Sequence, residues 1–447
     1  MKARQEALFR DKPVWQSIAT MAIPAMINMV VMILYNMADM FFVARLGNDA
    51  QVAAISLVGP VFTTMMALGS MVMGGGSVLI AQTLGKGDEH TLKQISSLCC
   101  WGSVGIGIIF TVVVLLFRGP LLLFLGTNAD TATHAAAYLT VLALGAPVMI
   151  FVTGFGGIIR AEGAVREGVM GHFIGTVANI ILDPIFIWWL GLGVSGAAIA
   201  TVLGNCLGAI YVIWYVRSEK STLTVNPAPA LQTPLAFGKV AILGLPNAVS
   251  SFLSGFATAF ANQLLVQYGT MAVAAMAAAG KSTMMISMLQ MGLCLGVQPL
   301  LAYSYGAKDI NRLRETLLKL GGLTVVIGLT LTLLCWFNSR TVIGLFLQET
   351  EALELGQRMV RLLILAGPFL GLFYLGSNLL QAAGNAPLAT FVSLLRQGIL
   401  LVPLLFVMNH FFQVTGNIWA HIVADLASAM VAVVLALRQY HKLKCSL

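Results

Sequence analysis

Polar and apolar residues alternate along this chain in long blocks. Apolar runs occupy residues 15–43, 52–84, 94–117, 134–159, 168–190, 194–216, 236–268, 272–304, 316–337, 357–383, 387–412 and 417–437. A helix rises about 1.5 Å per residue and a bilayer core is about 30 Å thick, so each run can cross a membrane as one helix. The pattern predicts twelve spans, numbered in chain order. Between spans 6 and 7 lies the polar stretch Ser218 to Pro234, whose Pro227, Pro229 and Pro234 read as an extended linker. The expected organisation is residues 1–217 with spans 1–6, a linker at 218–235, and 236–447 with spans 7–12.

The two halves resemble each other when one is slid past the other by 220 to 222 residues. Ile23-Pro24 then meets Leu245-Pro246, Leu84-Gly85 meets Tyr305-Gly306, Ala146-Pro147 meets Gly367-Pro368, and Val194-Ser-Gly196 meets Val414-Thr-Gly416. Each half holds an even number of spans, so the repeats run parallel, as in two-lobed transporters.

Composition agrees with this reading. The chain of 447 residues is 58% hydrophobic and only 9% charged, against about 25% charged in soluble domains, so it is an all-α polytopic membrane protein. The formal charge of +8 gives no nucleic-acid reading, because membrane proteins concentrate Lys and Arg in cytoplasmic loops. With the N-terminus inside, Arg45, Arg118, Arg340, Arg358 and Arg361 fall outside, Lys281 and Arg396 fall within spans, and the other 18 basic residues fall inside. Both termini are therefore expected in the cytoplasm. The six cysteines form no CxxC pair and no metal-spaced cluster, so neither disulfides nor zinc are expected. The run after Lys2 to Lys12 is too long for a signal peptide and should stay as span 1.

Carboxylates lie well inside only three spans: Asp39 in span 1, Asp183 in span 5 and Asp425 in span 12. An ionised carboxylate at such depth costs at least about 2.5 kcal/mol, which makes each a functional candidate. Counting along the helices puts Asp39, Asp183 and Thr201 of span 6 in one layer, about 8 to 11 Å below the outer surface. His172, Thr176, Asn179 and Asp183 share one face of span 5, and Pro184 frees the Ile180 carbonyl beside them. In span 1, Asn28, Met32, Tyr35 and Asp39 repeat the spacing, with Asn36 close by. Two carboxylates, an amide and a hydroxyl suit a small cation or proton exchange. In the second half, Ala261, Val402 and Gly398 replace Asp39, Asp183 and Asn179, while His421 matches Thr201. The fold is doubled but these acids are not, so coupling is expected in the first half.

Met284, Met288 and Met291 share a face of span 8, and Met32 lies on span 1. Adaptable thioethers suit a cavity for varied apolar ligands, although a Met stripe also serves packing. Asp425 and His421 stand four residues apart and could relay protons. With Lys281 at similar depth, we read Asp425 as the partner of Lys281 in a structural pair. Glycine runs such as Gly74–Gly76 and Gly154–Gly157 are read as sites of close helix contact.

Tyr35-Asn36-Met37-Ala38-Asp39, Leu46-Gly47, Arg160-Ala-Glu-Gly163, Asn179 with Asp183-Pro184, and Gly196 with Thr201 stand in an order that resembles the multidrug and toxic compound extrusion (MATE) family. The likeness covers nearly the whole chain and is greatest to the bacterial branch typified by MepA and DinF. It implies a V-shaped, two-lobed antiporter of the bacterial inner membrane, which exports bulky, mostly cationic drugs in exchange for H+ or Na+. It also implies a first-lobe cation site of Asp39, Asn179, Asp183 and Thr201, which would ligate the metal if the ion is Na+, and bending near Pro24. Where the NorM-like branch carries further carboxylates, spans 7 and 10 here hold neutral residues such as Asn262, Gln263, Asn378 and Gln381. Ala164 stands where a polar residue commonly follows the Arg-x-Glu-Gly motif. The expected protein is a monomer without a cofactor and not an enzyme, with small molecules and lipids as partners.

A lipid-linked oligosaccharide or lipid flippase shares the two-lobed plan, but would be expected to carry a cavity rich in Lys and Arg and two further spans. An intramembrane aspartyl protease also places two acids in the membrane. Asp183 here follows Ile-Ile-Leu rather than a Gly-x-Gly stretch. The major-facilitator plan lacks its basic loop in Gly85-Lys86-Gly87-Asp88-Glu89.

Overall fold

The computed structural model describes residues 7–44, 49–232, 237–344 and 350–445; the side chains of residues 7, 35–44, 49, 129, 231, 232, 259 and 270 lie outside that description. Every regular element among the described residues is helical. The long helices are α1 (Val14–Ala44), α2 (Asp49–Lys86), α3 (Glu89–Leu116), α4 (Ala129–Ala161), α5 (Val165–Pro184), α6 (Gly193–Arg217), α7 (Phe237–Val266), α8 (Thr270–Gly306) and α9 (Ile310–Phe337). Helix α10 starts as Thr350–Leu363, tightens into the 3-10 turn Ile364–Ala366 before Pro368, and continues as Gly367–Ala382.

The last stretch, Ala386–Cys445, is helical almost throughout, but Gln413 has φ 53° and ψ −131°. No helix passes through those angles, so residues 386–412 form α11 and 414–445 form α12. Gly416 lies against the Met408 carbonyl across this turn, where a side chain would clash. Eleven uninterrupted stretches are long and apolar enough to cross a membrane, and the last contains both α11 and α12. Each of the twelve expected spans thus corresponds to a helix.

The repeat reaches down to the caps. Asp88 accepts from the Thr91 N–H at the start of α3, and Asp309 accepts from the Arg312 N–H at the start of α9. In both, the preceding residue has positive φ, Gly87 at 75° and Lys308 at 59°.

By packing, the chain groups into two compact units. The first comprises Met1–Asp11 and Ile27–Ala248. Its core is apolar, with Val58, Met65, Leu139, Met149 and Ile150 buried, while Ile109, Val112 and Trp189 stay exposed, as lipid-facing side chains do. The second comprises Lys12–Met26 and the chain from Val249 onward. Its core includes Leu265, Ile286, Val360 and Ile364. Helices α1 and α7 each change unit within a turn of a proline, after Met26 beyond Pro24 and after Ala248 beyond Pro246.

The segment after α6 is docked to the first unit. Ser96 donates to the Thr224 carbonyl at 3.0 Å, Trp101 to the Val225 carbonyl at 3.0 Å, and Ser97 to the Asn226 carbonyl. Glu162, buried just past α4, accepts from Ser221 Oγ, Thr222 N–H and Thr222 Oγ1, each at 2.9 Å. Burial pushes this carboxyl above its ordinary range, opposed by those hydrogen bonds. The Arg160-Ala-Glu-Gly163 motif therefore holds chain that follows α6.

Candidate functional site

The site begins with glycines. On α5, Gly171 and Gly175 face Gly208 and Gly204 on α6, each pair one helical turn apart. A Cβ at Gly204 would sit 2.5 Å from the Gly175 carbonyl oxygen, and one at Gly208 would sit 2.6 Å from that of Gly171. Backbone thus meets backbone, as small residues allow in membrane helices. One turn further, the close approach brings polar side chains together.

Asn179, Asp183 and Thr201 are 2%, 1% and 7% exposed. Asn179 Nδ2 donates to Asp183 Oδ1 at 3.3 Å on its own helix and to Thr201 Oγ1 at 3.2 Å across to α6. Thr201 Oγ1 donates to the Ala197 carbonyl at 3.0 Å, leaving its lone pairs toward Asn179. Among the described residues, Asn179 Oδ1 is buried and accepts no hydrogen bond. A buried amide oxygen without a donor loses about 1–3 kcal/mol of hydration, and a cation beside it would restore a partner. The donor set, carboxylate with amide and hydroxyl oxygens, fits a hard monovalent ion or a proton.

Pro184 is the last residue of α5, and the π-helical turn Ile185–Trp189 follows it. Such turns arise where the regular hydrogen-bond ladder is interrupted. Pro24 lies inside α1, whose backbone runs on to Ala44. Asp39, Tyr35 and Asn36 lie on α1, but their side chains are outside the described residues. Met32 is 44% and Met284 39% exposed, whereas Met288 and Met291 are half-buried on α8.

Asp425 corrects an expectation. Its ion pair is with Arg396, whose Nε donates to Asp425 Oδ1 at 2.7 Å, not with Lys281. A similar depth along two helices does not fix direction around their axes. Arg396 lies in a π-helical turn, Leu395–Leu400, which alters the angular advance per residue and delivers the guanidinium to α12. A second residue absent from the expected set is Asn205, whose Nδ2 donates to the Thr201 carbonyl at 2.8 Å. Its signal was its place four residues after Thr201 on the same face.

Comparison with known proteins decides the family. The MatE family model matches residues 24–185 and 246–436, most of the chain and both halves of the repeat. The chain belongs to the MatE family. As a MatE protein it is a multi-pass membrane transporter and not an enzyme. It is 29% identical over 440 residues to the multidrug export protein MepA of Staphylococcus aureus strain MSSA476, covering 97% of this chain and 96% of that one. MepA of Staphylococcus saprophyticus is 28% identical over 436 residues, with the same coverage. Among solved structures, a MATE protein in complex with MaL6 superposes with a TM-score of 0.93 at 23% identity, covering 98% of this chain and 99% of that one. An outward-facing multidrug resistance MATE family transporter gives 0.93 at 23% identity, covering 98% of both. The MatE fold thus holds over the full described length.

Proposed function

We propose that this MatE protein is a multidrug efflux antiporter, which exports bulky, mostly cationic hydrophobic compounds in exchange for H+ or Na+ by alternating access. The observation that carries the reading is the buried cluster of Asn179, Asp183 and Thr201, with an amide oxygen unspent beside a carboxylate. A carboxylate kept at that depth needs an exchangeable positive charge, and two sources alternate: the coupling ion and the cationic drug. Asp183, Asn179 and Thr201 would hold the ion together with Asp39. Binding the ion cancels the charge that attracts drug, and losing the ion toward the cytoplasm restores it.

The same reading gives six-helix lobes at 1–217 and 236–447, joined by a linker at 218–235. The changes of unit just past Pro24 and Pro246 support bending there as the site changes occupancy. Met32, Met284, Met288 and Met291 are the drug-lining candidates, and Tyr35 and Asn36 accompany Asp39. The protein works as a monomer in the bacterial inner membrane with both termini cytoplasmic, in keeping with the distribution of Lys and Arg. The name multidrug export protein, carried by relatives aligned over 97% of the chain, supports the substrate class.

The test is export of tetraphenylphosphonium from proteoliposomes with the Na+ and pH gradients imposed separately. One gradient should drive export in the wild type, and neither should in Asp39→Asn or Asp183→Asn, with protein levels and melting unchanged. Normal gradient-driven export by either variant would overturn the assignment.

A further inference from the structure

The second half of the chain has a polar cluster of its own between the corresponding helices. Arg396 of α11 pairs with Asp425 of α12 at 2.7 Å, and its Nη1 reaches the Tyr374 hydroxyl of α10 at 3.5 Å. That hydroxyl is 2.8 Å from Ser287 Oγ of α8. The guanidinium lies 4.8 Å from the ring centroid of Phe373 and 5.7 Å from that of Tyr374. The Arg396 and Asp425 side chains are only 11% and 15% exposed. His421, one turn before Asp425 on α12, is half-buried, and Tyr374 is the titratable group that α10 contributes.

At a spacing of 220 for the sixth helix Thr201 matches His421 and Asn205 matches Asp425, and at the 219 that sets Asp183 against Val402, Val177 matches Arg396. The second half therefore does carry an acid between its fifth and sixth helices, shifted one turn from the position of the first-half site. In the first half Asn179, a neutral amide, donates to Asp183 Oδ1 at 3.3 Å. In the second half the chain supplies its own cation on a covalent tether, held by a charge-assisted hydrogen bond and by two aromatic faces.

We propose that Arg396 is a built-in counter-ion, which occupies at Asp425 the role that the exchangeable cation plays in the first half. It thereby keeps Asp425 from coupling to the ion gradient. A guanidinium does not deprotonate under physiological conditions and cannot leave, so Asp425 has no need of a mobile ion. This deepens the antiport reading and rests on it for its transport consequence, but not for the state of Asp425.

Two measurements test it. In an Asp39→Asn/Asp183→Asn background, infrared difference spectra between about pH 8 and about pH 5 should show no carboxylic-acid band that Asp425→Asn removes. With Arg396→Gln added, such a band should appear, and Asp425→Asn should then abolish it. A band from Asp425 while Arg396 is present, or none after its replacement, overturns the proposal. In proteoliposomes, the neutral pair Arg396→Gln/Asp425→Asn, whose amides can still hydrogen-bond, should keep its cation dependence and export within about twofold of wild type. The single Arg396→Gln should raise the Hill slope for the driving cation from about one toward about two. Loss of cation dependence in the neutral pair would make the pair itself the coupling site and overturn the inference. If wild-type export follows no cation gradient, the antiport reading fails, and the infrared measurement still judges Arg396.

Discussion

Substituting Gly204 by alanine tests whether helix spacing sets the site. The new Cβ would stand 2.5 Å from the Gly175 carbonyl oxygen and 3.3 Å from Asn179 Cβ. Carbon and carbonyl oxygen tolerate about 3.3 Å, so α6 must retreat by about 0.8 Å at this level. Thr201 lies less than one turn away on the same helix, and its 3.2 Å contact with Asn179 Nδ2 would stretch to about 4.0 Å, past the limit of a hydrogen bond. Overpacking of this size costs about 1–3 kcal/mol, and a comparable loss in cation binding of about 1.4 kcal/mol is a tenfold weaker affinity. The assay is tetraphenylphosphonium export from proteoliposomes as a function of the driving cation. Half-maximal export should need about ten times more cation, with the maximal rate largely kept. The control is Gly59→Ala on α2, where the added Cβ meets nothing within 4 Å and alanine favours the helix. Unchanged cation dependence in Gly204→Ala, with unchanged melting, would refute the view that this contact sets the site.

Three further outcomes are expected. Thr201→Val keeps the shape but removes an oxygen and should weaken cation dependence by about 1 kcal/mol, whereas Thr201→Ser should retain it; both are read in the same export assay. Burial raises the Glu162 carboxyl pKa in the folded protein above its unfolded value. Its contribution to stability is therefore fully present below the unfolded value of about 4.3 and is lost as pH rises through the raised value. The melting temperature in detergent should accordingly fall with rising pH more steeply in the wild type than in Glu162→Gln. Glu162→Ala, which removes the acceptor of the Ser221 and Thr222 hydrogen bonds, should speed limited proteolysis at residues 218–226. Gln413 has a φ of 53° that glycine adopts without strain, so Gln413→Gly relieves about 1–3 kcal/mol of backbone strain against an unfolded-state entropy cost of about 0.4–1 kcal/mol and should raise the melting temperature in detergent.

The spans were legible because a bilayer demands long apolar runs and closed backbone hydrogen bonding, which leaves a simple one-dimensional signal. Asn179 and Asp183 were legible as neighbours because four residues return to the same helix face. Thr201 was legible because depth converts directly into residue number. The pairing of Asp425 was not, since the angle of Arg396 around α11 depends on a π-helical turn that no composition marks. The cross-helix pairs Gly171 with Gly208 and Gly175 with Gly204 were also missed. Their spacing of four is present on each helix, but only tertiary packing shows which small residues face each other. The break at Gln413 was legible as the gap between the apolar runs that end at 412 and begin at 417, although glutamine carries none of the usual turn chemistry.

The glycines and the ion pair are two answers to one problem, the joining of the fifth and sixth helices of each repeat. In the first half, Gly171, Gly175, Gly204 and Gly208 let the backbones touch, and van der Waals contact holds α5 to α6. The one side-chain hydrogen bond described between Asn179 and Thr201 uses the amide nitrogen and leaves the buried Asn179 Oδ1 without a donor among the described residues. At a spacing of 219 for the fifth helix, which sets Asp183 against Val402, and of 220 for the sixth, the same four places in the second half are Thr390, Leu394, Ala424 and Ser428. None of the four is glycine, so the second half lacks the facing glycine pairs of the first. Arg396 of α11 instead ties to Asp425 of α12 at 2.7 Å. An acid committed to such a tie cannot be released in each transport cycle without loosening the helix pair, because removing one partner of a buried ion pair costs about 3–5 kcal/mol. On the antiport reading, the Arg396 tie that joins α11 to α12 therefore also withholds Asp425 from ion exchange.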